Sequence, residues 1–139
     1  MAKKTNPIDI RKILRIDFSD LTTDLSESLM LYGYYGELNA NIWGKVRRAR
    51  QNREIIAASF YMISKDDVLD TGRPPSDKFI DMELQQDEDW VEAQEEYHTA
   101  KIQAEKSQVL VKGLEYKLDS LRTLLASERV DKVHHLKSE

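Results

Sequence analysis

The stretch "DWVEAQEEYHTAKIQAEKSQVLVKGLEYKLDSLRTLLASE", Asp89 to Glu128, decides the fold. It carries a heptad. One site reads Trp90, Tyr97, Ala104, Val111, Leu118 and Leu125. The other reads Ala93, Ala100, Ser107, Leu114 and Leu121. Apolar side chains repeating every three and four residues line one face of a helix, and the 3.5-residue average is the seam of a coiled coil. Small residues fill the first half of this seam and leucines the second. "DEDWVE" supplies acids where a helix start favours them, with an Asp-x-x-Glu cap between Asp89 and Glu92. The spacing predicts a helix from about Asp87–Asp89 to about Val130.

A second long helix is predicted upstream, from about Leu21 to Ser64, with Ser19 or Asp20 as its cap. Its heptad sites are Leu25, Tyr32, Asn39, Val46, Arg53 and Phe60, and Ser28, Tyr35, Ile42, Ala49, Ile56 and Ile63. Asn39 and Arg53 interrupt the seam. Gly33, Gly36 and Gly44 lie inside the helix, and each costs roughly 1 kcal/mol against alanine. A break or a close helix approach is expected near 33–44.

Between the two helices, "SKDDVLDTGRPPSDK" contains Gly72, Pro74 and Pro75, which stop a helix. "DKFIDMEL" then reads as a short helix or turn capped by Ser76 or Asp77. Ahead of the first long helix, "IDIRKILRIDF" allows one short helical turn. The organisation is therefore an N-terminal tail at 1–19 with a short helix, a helical hairpin domain at 20–130 with its linker at 65–87, and a flexible C-terminal tail at 131–139.

At 1.5 Å per residue each long helix reaches roughly 60 Å. That length does not suit a compact globule of 139 residues. It suits an all-α hairpin with coiled-coil-like seams that other copies of the chain complete, a homo-oligomer. "IIAASFYMI", Ile55 to Ile63, is apolar on nearly all sides, more than one partner helix covers. The residues expected at the oligomer interface are Ile55, Ile56, Phe60, Ile63, Val111, Leu114, Leu118, Leu121 and Leu125.

Composition narrows the functional classes. Charged residues are 33% of the chain and the formal net charge is −4. There is no cysteine, hence no disulfide, no thiolate metal site and no thiol nucleophile. The N-terminus lacks the apolar core of a secretory signal, and the nine residues of the longest apolar run are too few to span a bilayer. No membrane is expected, and a reducing cytoplasm fits. His98 reads as a surface residue on the last helix. Asp66, Asp67 and Asp70 lack the calcium-loop spacing and read as a solvated linker. With no histidine pair, phosphate loop or serine–base set, the reading is a non-enzyme with no metal and no cofactor.

Charge is unevenly placed. From Leu38 to Arg53 there are five basic residues and no acid, and all five fall within "KVRRARQNR". From Lys65 to Glu96 there are twelve acids against three bases. At 100° per residue Arg47 and Arg50 take one flank of the first long helix, and Lys45 and Arg48 the other, with Val46 and Ala49 on the seam between. Repeated once per subunit, such a cluster can neutralise several phosphates, and each one adds a counterion-release contribution. Aromatic side chains nearby can stack on bases. The candidate nucleic-acid-binding residues are Lys45, Arg47, Arg48, Arg50, Arg53, Trp43 and Tyr61. Arg53 falls on the seam and also reads as an interface charge.

Ile16, Asp17 and Leu21, followed by Met30, Leu31 and Tyr32, open a long helix that then turns basic in "KVRRARQNR" and aromatic in "ASFYMISKDD". A Gly/Pro linker, the short "DKFIDMEL", an acidic helix start and the leucine-rich "LVKGLEYKLDSLRTLLASE" follow. This order over roughly 16–130 resembles the UvsY-like family of phage recombination mediators. In the best-known member of that family basic residues immediately precede the aromatic pair. Here Ile56, Ala57 and Ala58 stand there, and the charge lies one to two turns earlier. The resemblance implies a ring-shaped homo-oligomer in the cytoplasm of a bacterial host. It implies single-stranded DNA as ligand, and a strand-exchange recombinase and a single-strand-binding protein as partners. Its role would be to help load the recombinase onto DNA covered by that binding protein. Two other readings stay open: from the acidic stretch, an acidic phage inhibitor that binds a basic protein surface; from the heptad of the last helix, a structural coiled-coil assembly factor.

Overall fold

The computed structural model describes residues 9–67, 69 and 72–137. The first eight residues of the expected tail, Asp70 of the linker and the last two residues of the chain lie outside the described residues. Four helices follow in order: α1 (Ile10–Leu14), α2 (Leu21–Asp66), α3 (Asp77–Leu84) and α4 (Glu88–Lys137). No described residue lies in a strand. The fold is an all-α hairpin of α2 and α4.

Local chemistry sets most helix ends. Asp20 caps α2, its carboxylate accepting from the Thr23 backbone N–H at 3.1 Å and from the Thr23 hydroxyl at 2.7 Å. Those two bonds hold the Asp20 carboxyl below its usual range. Ser76 caps α3 by accepting from the Phe79 N–H. Asp87, and not the expected Asp89, caps α4 through the Trp90 N–H at 3.0 Å, since Asp89 already lies inside the helix. Between α2 and α3 the chain turns at Gly72, whose φ of 76° suits a residue without a Cβ.

Two boundaries differ from expectation. α2 runs unbroken through Gly33, Gly36 and Gly44. A Cβ added at Gly33 or Gly36 would meet nothing within 4 Å, so no close approach within the chain explains them. Packing of α2 on α4 outweighs their propensity cost. α4 continues past Val130 to Lys137. No Gly or Pro interrupts 131–137, and Lys132 pairs with Glu128 one turn back at 3.5 Å.

The chain divides into two compact units: Met1–Asn39 with Lys106–Glu139, and Ala40–Glu105. In the first, Leu110, Val111, Leu114, Leu118 and Leu121 of α4 are buried, as is Ser28 of α2. α1 joins this unit through Leu14, whose side chain sits where a Cβ on Gly113 would be, at 2.7 Å. That close approach is the reason a glycine suits a leucine-rich helix at this position. Antiparallel pairing of α2 and α4 here shows in two side-chain bonds. Tyr32 Oη donates to Glu115 Oε1 at 2.8 Å, and Asn39 Nδ2 donates to Gln108 Oε1 at 3.1 Å. Asn39 Oδ1 is buried without a partner among the described residues.

In the second unit the buried residues include Val46 and Ser64 of α2, Pro75 of the linker, Ile80 and Leu84 of α3, and Ala93 and Ala104 of α4. α3 is fastened to α2 by an ion pair between Lys65 Nζ and Asp77 Oδ1 at 2.6 Å. Tyr61 Oη also donates to Asp81 Oδ1.

The leucine half of the α4 seam requires a correction. Val111, Leu114, Leu118 and Leu121 were expected at an oligomer interface, yet all four are buried within the single chain, Leu114 completely. α2 and α1 together supply the cover that the sequence assigned to other copies.

Candidate nucleic-acid interface

The basic cluster lies on α2 in the second unit. Its helical phase places Val46 inward, and Val46 is buried. Lys45, Arg47, Arg48 and Arg50 are exposed around it. Arg50 Nε lies 3.5 Å from Glu54 Oε1, one turn on, with both side chains about two-thirds exposed at 64% and 65%. Such a surface pair is worth a few tenths of a kcal/mol. Lys45, Arg47 and Arg48 pair with no acid among the described residues. Three cations are thus displayed on the outer side of a helix with their charge uncompensated.

Arg53 does not join them. Its guanidinium turns inward, with Nη1 donating to Gln94 Oε1 at 3.0 Å. Its Cζ lies 4.2 Å from the Tyr97 ring centroid and 5.9 Å from that of Trp90. A guanidinium over aromatic faces gains from the ring quadrupole, and loses less hydration than an ammonium would. The seam position therefore governs Arg53, and its partner is a pair of rings with an amide rather than an acid of another helix.

Two aromatic candidates are also engaged elsewhere. Trp43 is half-buried. Tyr61 is bound to Asp81, which pushes its hydroxyl up to about 12. It braces α3 against α2, about three turns from the arginines. The structure brings together Lys45, Arg47, Arg48 and Arg50, and separates Arg53 and Tyr61 from them.

Opposite in character is a groove between α2 and α4 in the same unit. One part, of 250 Å³, is lined by Asn52, Ile56, Asp89, Glu92, Ala93 and Glu96. An adjoining part is lined by Ile55, Ile56, Ser59, Phe60, Ile63, Asp87 and Asp89. One wall is apolar and the other acidic. Ile55 is 57% exposed and Ile63 68%, so these two expected interface residues remain uncovered. Ile56 and Phe60, in the same groove, are half-buried, and Leu125 of α4, in the first unit, is half-buried as well.

The first unit holds an internal ion pair that sequence reading missed. Lys117 Nζ lies 2.8 Å from Asp24 Oδ1, with side chains only 5% and 10% exposed. Lys117 also donates to the Ile13 carbonyl at 2.9 Å, and Asp24 accepts from the Asp17 N–H at 2.8 Å and the Ser28 hydroxyl. Helical phase carried a partial signal: Lys117 falls at the edge of the buried arc, about 40° outside Leu121 at 100° per residue. No group of three or more His, Cys, Asp or Glu side chains able to hold a metal occurs among the described residues. No described helix is long and apolar enough to cross a membrane.

No protein-family model and no curated protein sequence matches this chain. Among solved structures it is similar to the crystal structure of the bacteriophage T4 recombination mediator protein UvsY. The TM-score is 0.70 at 12% sequence identity, over 89% of this chain and 93% of that one. The two share a fold, in agreement with the order of elements read from the sequence.

Proposed function

We propose that this chain is a recombination mediator that binds single-stranded DNA through the outer face of α2, acts as a homo-oligomer and performs no catalysis. It would help load a strand-exchange recombinase onto DNA covered by single-strand-binding protein, in the cytoplasm of a phage-infected bacterium. The observation that carries this reading is the uncompensated display of Lys45, Arg47 and Arg48 beside Arg50. The fold shared with UvsY supports it. Phosphates need several such cations at once, and oligomerisation multiplies the patch.

Fluorescence anisotropy with a labelled oligonucleotide tests it. The parent binds at low salt and weakens steeply as salt rises. Reversing charge at Arg47, Arg48 and Arg50 together abolishes binding and leaves the oligomer mass unchanged. A triple variant that binds as well as the parent would sink the site assignment.

The acid-walled groove favours one other reading, an inhibitor that captures a basic protein surface. That protein would bind no oligonucleotide at any salt, so the same titration separates the two.

A further inference from the structure

Gly44 sits in the interior of α2, where glycine is a poorer helix former than alanine. Nothing in the chain's packing requires it. A Cβ at 44 would meet only two atoms within 4 Å, Arg48 Nη1 at 3.6 Å and Arg47 Nη2 at 3.8 Å. Both are ordinary contacts. Helical side chains lean toward the N-terminus, so residues three and four positions on reach back over position 44. The two guanidiniums therefore end over the same bare patch of backbone, and at 100° per residue Gly44 projects between them.

Like charges repel, and both arginines are exposed, free to swing apart into water. Bringing them over one notch suits an anion that both can grip. We infer that Gly44, Arg47 and Arg48 form a clamp for a single phosphodiester of single-stranded nucleic acid. The inference rests on the nucleic-acid reading above and sharpens it from a charged surface to one built subsite. Each guanidinium offers paired N–H donors to a non-bridging oxygen, the geometry in which arginine outperforms lysine. The missing side chain lets the phosphate settle against the helix between them. Lys45 and Arg50, on the flanks, add attraction without touching that phosphate. Gly44 is a positioning residue: its contribution is space.

Substitution at 44 leaves the charge of the protein unaltered, which makes the test specific. The full chain is titrated with labelled oligo(dT) across a salt series, for the parent, Gly44→Ala and Gly44→Leu. Alanine fits at ordinary contact distance, so Gly44→Ala keeps the parent's affinity within about twofold. Leucine fills the notch and pushes the guanidiniums apart. Gly44→Leu loses about tenfold in affinity, and its salt slope falls by about 0.7, the loss of one phosphate on a single strand. Both replacements form helix better than glycine, so weakened binding does not come from unfolding. A Gly44→Leu protein with the parent's affinity and slope overturns the clamp. So does a Gly44→Ala protein that weakens as far as Gly44→Leu, which would point to a need for backbone freedom instead of space. A parent that binds no oligo(dT) overturns the nucleic-acid reading itself.

Discussion

The guanidinium of Arg53 lies 4.2 Å from the centre of the Tyr97 ring, joining α2 to α4 inside the second unit. The most C-terminal charge of the basic cluster is therefore part of the hairpin and not of the exposed cationic face. Replacing Arg53 with alanine removes the ring contact and the bond to Gln94. We expect a loss of about 2 kcal/mol in stability, from a cation–π contact and one hydrogen bond to a charged group. Arg53→Lys keeps the charge but not the planar fork and recovers part of the loss. Oligonucleotide affinity stays within about threefold in both. Denaturant unfolding and anisotropy, measured on the same samples, check the two halves of this expectation.

Breaking the buried pair in the first unit has a larger effect. Lys117→Met strands the Asp24 carboxylate away from water and costs about 3–5 kcal/mol. The double variant Asp24→Asn, Lys117→Met costs less than the two single changes added together, because no lone charge remains. A double-mutant cycle by chemical denaturation measures the difference.

The same pair makes stability depend on acid. Burial raises the Asp24 carboxyl, but the bond from Lys117, the Asp17 N–H, the Lys117 charge and the Ser28 hydroxyl together outweigh it and hold the group below the 3.8 of an unfolded chain. A carboxyl depressed on folding stabilises above its unfolded value, and that contribution is lost as pH falls through the folded one. The parent is expected to lose stability as pH drops below about 4. Asp24→Asn should flatten that part of the profile while lowering its plateau, as thermal melts across pH 2–6 would show.

Tyr61 gives an optical marker for the docking of α3. Its hydroxyl donates to Asp81, and ionising it would place two negative charges together, so it titrates at about 12 instead of 10.0. A group raised on folding contributes fully below its unfolded value and loses that contribution as pH rises through the folded one. Tyrosinate absorbance of the parent should show a step near 12, provided the chain stays folded there. Asp81→Asn should move that step down, and Tyr61→Phe should delete it.

The two halves of the expected interface should behave differently. Leu118→Ala empties part of a closed core and costs about 2–5 kcal/mol of chain stability. Ile55→Glu with Ile63→Glu alters only exposed positions, so helix content and unfolding midpoint at low protein concentration stay near those of the parent. If the groove is where copies meet, the double variant has a lower mass in solution. An unchanged mass would remove Ile55 and Ile63 from the interface.

Helix content and seam phase were legible because their causes are local. Asp20 and Ser76 cap the N–H groups three residues away, and Pro74 and Pro75 stop a helix wherever they stand. The heptad of α4 named Ala93, Ala104, Val111, Leu114, Leu118 and Leu121, and all six are buried. The exposed arginines could be read from phase for the same reason. Less legible were residues whose role depends on what lies opposite. Asp24 and Lys117 are ordinary surface residue types, 93 positions apart in the chain, and become a buried pair only when α2 and α4 align.

The sequence by itself determined two long helices, the face each buries and the outward display of Lys45, Arg47, Arg48 and Arg50, since helical periodicity and capping act over a few residues. Only the tertiary structure decided that Arg53 turns inward onto Tyr97 and that Val111, Leu114, Leu118 and Leu121 are buried within the single chain while Ile55 and Ile63 are left open. Periodicity states which way a side chain points. What it meets there depends on the register and separation of elements distant in sequence, and on rotamers selected by that packing, and neither is encoded in any local window of the chain.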